Sequence, residues 1–243
     1  MKVYLASFKI IEKHWEDPTD DIYLLSSFWE HKSGKYGEYV KQERHILDSG
    51  AFSALSGAAK NVDWKAYTIK YIKFINDTKQ KLFLEMDIDS LVGIEKVEYY
   101  RSMIEDGTGL ACIPAWHKAR GKDYWLRLIE DYEYVAIGGI VSREIKREEY
   151  VNLEWFLKTA RKAGTKVHGL GFTNMQWLGR LPFYSVDSTS WIPRFKGLPL
   201  YANGRISSIS VPDGNRWKTY SIDRIKYGFN EWIKFQKYAE ENL

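Results

Sequence analysis

Cysteine is nearly missing from this chain of 243 residues: Cys112 stands alone. A single thiol excludes an internal disulfide framework and any site built from several thiolates, a Cys-rich zinc site included. Long apolar runs are missing too, since no stretch approaches the roughly 20 residues that a membrane-spanning helix needs. The N-terminal MKVYLASFKI carries neither a long apolar run nor a small-residue cleavage site, so no secretory signal is expected. No repeat, low-complexity tract or long linker divides the chain. These absences point to a single domain over 1–243, in a reducing cytoplasm and without a membrane partner.

What is present suits that expectation. With 44% of residues apolar, the chain can bury a core of the size one α/β domain requires. Lys plus Arg is 36 against 32 for Asp plus Glu, a net charge of +4. The excess is local: residues 188–226 hold seven basic residues (Arg194, Lys196, Arg205, Arg216, Lys218, Arg224, Lys226) and two acids (Asp213, Asp223). A basic segment after a near-neutral body suits a phosphate-rich partner, although a solvated helical face has the same composition.

Short runs, β-branched or aromatic in part, predict strands at Lys2–Phe8, His45–Leu47, Leu82–Met86, Leu110–Pro114, Tyr134–Ile137, Lys166–Gly169, Phe183–Val186 and Leu198–Ala202. Helical periodicity predicts helices over Val62–Thr78, Glu95–Asp106, Asp123–Asp131, Glu148–Ala163 and 222–241, with Gly164 as a C-cap. The stretch of about 10–44 reads as irregular decoration. Eight strands interleaved with helices predict a (β/α)8 TIM barrel, an open doubly wound sheet being the competitor.

The strand ends carry the polar residues. Asp48 opens Asp48-Ser49-Gly50, Asp87 and Asp89 stand two apart, and Asp187 follows Tyr184-Ser185-Val186. Gly138-Gly139 and Gly169-Leu170-Gly171 offer bare backbone, and Pro114-Ala115-Trp116-His117 ends in a histidine. In a barrel such ends converge on the face where active sites are built. A single Asp there is commonly a helix N-cap, but four together invite another account. Two separated carboxylates suit chemistry at an anomeric carbon, one attacking or stabilising the centre and the other handling the leaving group's proton.

The order DSGAFS, MDIDS, YVAIGGIV, VHGLGF and YSVDSTSW, over roughly residues 45–205, resembles the tRNA-guanine transglycosylase superfamily. The AIGG run and the DSG-aromatic turn are its most specific parts. The short length and the departures below look most like the 7-deazaguanine DNA transglycosylases of phages and bacterial genomic islands. That resemblance implies a bacterial or phage-infected cytoplasm and exchange of guanine in DNA for a free 7-deazaguanine such as preQ0 or preQ1. It also implies no cofactor and no metal.

By position the resemblance makes Asp187 the nucleophile at C1′ and Asp48 the acid/base. Asp87, with Asp89 as a possible sharer of the role, matches the acid that reads the N1 and N2 edge. Gly138 and Gly139 match the backbone that reads the base's carbonyl. Gly169, Leu170 and Gly171 match the wall beside the base, and Phe52 is a stacking candidate. Arg194 matches a phosphate contact, with Lys196 and Arg205 beside it in the basic segment.

Three features depart from the tRNA-modifying members. No Cys3His zinc site can form, an appended RNA-binding domain is absent, and the base-reading glutamine is replaced at its strand end, where His117 is the substitute donor. These departures weaken the tRNA assignment; DNA is the favoured partner, and the same exchange on tRNA stays open as the alternative. A homodimer or an accessory protein stays open, as do an N-glycosidase and a non-catalytic nucleic-acid-binding relative.

Overall fold

The computed structural model describes the chain apart from residues 17, 18, 20, 32–36, 42, 52–61, 194–196 and 211–220. Its centre is built from short apolar runs such as Val3-Tyr4-Leu5, Ile22-Tyr23-Leu24-Leu25 and Val135-Ala136-Ile137, all buried. A strand that is apolar on both faces belongs in a parallel sheet covered on both sides. The strands are β1 (Lys2–Ala6), β2 (Leu24–Ser27), β3 (His45–Asp48), β4 (Ala115–Trp116), β5 (Tyr134–Ile137), β6 (Lys166–Gly169) and β7 (Ser185–Ser188). They pair in the order β3-β2-β1-β7-β6-β5-β4, each pair parallel.

Two apolar clusters reveal how the sheet bends. Tyr4, Ala6, Tyr23, Leu25, Ile46, Leu84, Ile113, Ala115 and Ala136 form a small cluster of their own. Residues from both edges of the strand order share it, so the sheet curls around them. The alternate residues, among them Val3, Leu5, Leu24, Leu47, Val135 and Val186, join a larger outer cluster with the helices. Those helices are α1 (Trp64–Thr78), α2 (Ile94–Thr108), α3 (Gly121–Asp131), α4 (Leu153–Ala163) and α5 (Ile222–Asn242). Asp63 caps α1 by accepting from the Ala66 N–H at 3.0 Å, and Gly164 ends α4 in the left-handed region.

The fold is a mixed α/β fold on a curled parallel sheet, and it differs from the predicted barrel in four places. The described residues form seven parallel strands, not eight. Neither Leu82–Met86 nor Leu110–Pro114 forms a strand: they make only isolated parallel bridges, Leu47 to Phe83 and Leu84 to Ile113. The strand expected at Leu110–Pro114 comes one step later, as the two-residue β4. Leu198–Ala202 lies outside the parallel sheet, in an antiparallel hairpin of β8 (Gly197–Ala202) and β9 (Arg205–Ser210). Its turn is Asn203-Gly204, both at positive φ, the dipeptide that a tight two-residue hairpin prefers. Conversely, the stretch read as decoration supplies β2, a strand inside the sheet.

α5 ties the outer layer to the sheet. Ile225, Phe229, Trp232, Phe235 and Ala239 are buried along one face. From that face Gln236 Nε2 donates to the carbonyls of Val3 (2.6 Å) and Tyr23 (3.0 Å), while its Oε1 accepts from the Tyr23 N–H (3.1 Å). Among the described residues no helix is long and apolar enough to cross a membrane.

Candidate active site

Parallel pairing brings the C-terminal strand ends level. Tyr4 stands opposite Asp187, and Ser27 opposite Asp48. Above them lies a cavity of about 500 Å³ whose walls include Asp48, Asp87, His117, Gly138, Gly139, Leu170, Gly171 and Asp187. Eight of the predicted site residues thus share one cavity. A larger groove of about 670 Å³ lies outside the sheet, beside Trp155 and Phe156 of α4, and none of the strand-end aspartates lines it.

Asp48 sits at the end of β3, its Oδ1 accepting the Gly50 N–H at 2.5 Å. Tyr67 and Tyr71 of α1 hold the backbone beside it, donating to Ser49 O (2.6 Å) and to Leu47 O (3.1 Å). Burial, reinforced by the charges of Asp187, Asp87 and Glu30, pushes the Asp48 carboxyl up to about 7. The Gly50 hydrogen bond offsets this only in part. Glu30, on the wall of the same cavity, is also raised by burial.

Asp187 is treated differently by its surroundings. Its Oδ1 accepts from the Gly171 N–H at 2.6 Å and lies 3.3 Å from His168 Nε2. Gly171 has φ +67°, and a Cβ there would stand 2.2 Å from Val141 Cγ2, so a side chain at this position would be strained and would push Val141 aside.

Asp87 Oδ1 meets His117 Nε2 at 2.6 Å, and His117 Nδ1 meets Glu144 Oε2 at 2.9 Å. Burial opposes a charged imidazole, yet the two carboxylates outweigh it and push His117 up to about 10. The same contacts hold Glu144 below the usual carboxylate range. The two glycines of Gly138-Gly139 make room for this cluster. A Cβ on Gly138 would lie 2.5 Å from His117 Nε2, and one on Gly139 2.7 Å from Glu144 Oε2.

The remaining predicted residues lie elsewhere. Asp89 does not share Asp87's side, because the chain leaves the extended form at Ile88 and enters the helical turn Asp89–Val92. There its carboxylate pairs with Arg120, which also bonds the fully buried Glu85 at 3.0 Å. Gly169 packs against Phe172 and Phe183 and not on the cavity wall. Arg205 opens β9, away from the cavity lining. Phe52, Arg194 and Lys196 lie outside the described residues, as do Arg216 and Lys218 of the basic segment. Cys112 is buried, and burial pushes its thiol up.

Sequence reasoning missed Glu30, Glu144 and His168. His168 lies within VHGLGF and Glu144 three residues beyond YVAIGGIV, but only folding shows that their side chains meet Asp187 and His117. Glu30 lies within the stretch read as decoration.

Fold and site together define a class: an α/β protein with a curled parallel sheet and an acid-lined cavity over its C-terminal strand ends. No protein-family model matches the chain, and no curated protein matches it in sequence. Among solved structures it is similar to one described as a structural study from Aquifex aeolicus VF5, with TM-score 0.52 and 11% identity over 98% of this chain and 93% of that one. It also aligns with the carboxyl transferase domain from Rhizobium etli pyruvate carboxylase with pyruvate, at TM-score 0.40 and 14% identity, over 98% of this chain and 41% of that one. The first likeness speaks to the fold alone.

Proposed function

We propose that this chain is a base-exchange transglycosylase that replaces guanine in DNA with a 7-deazaguanine through a covalent Asp187–sugar intermediate. One observation carries the reading: Asp48 and Asp187, the two carboxylates that the exchange needs, line the same cavity. Asp48, raised to about 7, keeps a proton to give near neutrality, and Asp187 Oδ1 is oriented by the Gly171 N–H at 2.6 Å. Asp187 attacks C1′ as the C1′–N9 bond breaks, and the departing guanine takes the Asp48 proton. The entering base returns a proton to Asp48 and displaces Asp187 from C1′. One N-glycosidic bond replaces another, so no outside energy source is required.

Asp87, held by His117, is the acid for the N1 and N2 edge of the base, and Gly138-Gly139 and Leu170-Gly171 form the walls. A base in duplex DNA must leave the stack to reach them, at a cost of a few kcal/mol. The finer fold proposed with this reading is an unclosed relative of the (β/α)8 barrel, in which Leu82–Glu85 stands between β3 and β4 without forming a strand. Leu84 N–H donates to Leu47 O at 2.9 Å and Ile113 N–H to Phe83 O at 2.8 Å, which links β3 towards β4. The preference for DNA rests on the sequence resemblance and on the lone cysteine.

The test is incorporation of labelled guanine into double-stranded DNA and, separately, into unmodified tRNA, with Asp187→Ala as control. Label in DNA, lost in the variant, is the expected result. Label in tRNA alone would replace DNA as the partner. Guanine released from labelled DNA without any incorporation would make the enzyme a glycosidase.

A further inference from the structure

β6 places His168 inside the curled sheet, fully buried, where a polar ring needs partners to avoid a desolvation cost. Both ring nitrogens have them. Nδ1 lies 2.5 Å from Ser185 Oγ, and Nε2 lies 3.3 Å from Asp187 Oδ1. Ser185 Oγ in turn lies 2.5 Å from the Tyr134 hydroxyl. A carboxylate only accepts, so the ring proton belongs on Nε2. Nδ1 then accepts from the Ser185 hydroxyl, and the Ser185 oxygen accepts from Tyr134. All three bonds run in one direction and end on Asp187.

The Gly171 N–H reaches the same oxygen at 2.6 Å. Two donors therefore converge on Oδ1, and among the described residues none is recorded on Oδ2. We propose that His168, its tautomer fixed by Ser185 and Tyr134, is a positioning residue. It pins Oδ1, presents Oδ2 to the sugar, and stabilises Asp187 as it leaves. The inference rests on the covalent role proposed above for Asp187.

The electron count places the effect in the second half of the reaction. In the first half Oδ2 bonds to C1′, the C1′–N9 pair leaves with the base, and Oδ1 becomes the ester carbonyl oxygen. In the second half the entering base forms the new bond, and the C1′–Oδ2 pair returns to Asp187. That returning charge is shared with Oδ1, where the Nε2–H and the Gly171 N–H meet it. The His168 proton stays on its ring throughout.

Two variants and one spectroscopic measurement test this. His168→Met keeps the bulk and removes the donor, and His168→Gln restores an N–H donor. The Met variant is expected to lose about 10- to 100-fold in kcat, with KM for the free base changed less than about twofold. Its covalent enzyme–DNA adduct should accumulate on denaturing gels, and the Gln variant should recover most of the rate. A soluble Met variant with normal kcat, or with lowered kcat and no added adduct, overturns the inference while wild-type exchange stands. Nitrogen-15 NMR of the wild-type protein reads the tautomer without any variant. A proton on Nε2, with a resonance that moves in Asp187→Asn, is expected, and a proton on Nδ1 overturns the inference. An Nε2 proton in a protein that exchanges no base would instead overturn the transglycosylase reading, and the leaving-group role with it.

Discussion

Asp48 and His117 face one cavity with opposite charge problems, the first a carboxyl among acids and the second an imidazole between two carboxylates. For Asp48 the folded value of about 7 stands above the ordinary 3.8, so between those limits the folded state holds a proton that the unfolded state has released. Stability contributed there falls as pH rises. Asp48→Asn is therefore expected to be near neutral at pH 4 and stabilising by about 1–3 kcal/mol at pH 8, measured by urea unfolding. The same variant should lose about 10²–10⁴-fold in exchange rate, and the wild-type rate should fall above about pH 7 as the acid ionises. His117 works in the opposite sense. Its value rises from 6.5 to about 10, so its contribution is full below pH 6.5 and is lost as pH climbs through 10. His117→Gln should cost about 2–4 kcal/mol at pH 6, with the difference closing towards pH 10 in the same assay.

Elements were legible where one pattern decided them, and obscure where pairing decided them. β5 and β6 are found at their predicted bounds; β5 reads as the unbroken apolar run of a buried parallel strand, and β6 as a short stretch bounded by Gly164 and Gly169. β2 was hidden because Leu24-Leu25 lies between irregular stretches, and its order comes only from β1 and β3 on either side. β8 reads like any other short apolar strand, and only the Asn203-Gly204 turn after it marks the hairpin. Within the site, the acids at the strand ends could be read from spacing, but the divergence of Asp87 and Asp89 depends on a helical turn beginning between them. The role of Gly138 was legible only as bare backbone, whereas folding sets it against the His117 ring. Gly138→Ala should thus cost about 1–3 kcal/mol in the wild-type chain, and under about 0.5 kcal/mol when His117 is already Ala. A double-mutant cycle in denaturant measures that coupling.

At the scale of the whole molecule, the site depends on contacts far apart in sequence. Gln236 of α5 holds Val3 of β1 and Tyr23 beside β2, so Gln236→Leu should cost about 2–4 kcal/mol by leaving buried backbone groups unpaired. β1 itself lies between β2 and β7, its Lys2 paired with Ser185. This neighbourhood sets an order of events during synthesis. While the ribosome is still making the middle of the chain, β1 has only β2 to pair with, and the edge that awaits β7 stays open. Asp48 and Asp87 leave the ribosome long before Asp187, so the hollow they share lacks the wall from Asp187 to Ser190 until β7 is free to dock. Such long-range closure is slow in folding, and the unpaired edge invites chaperone capture in the interval.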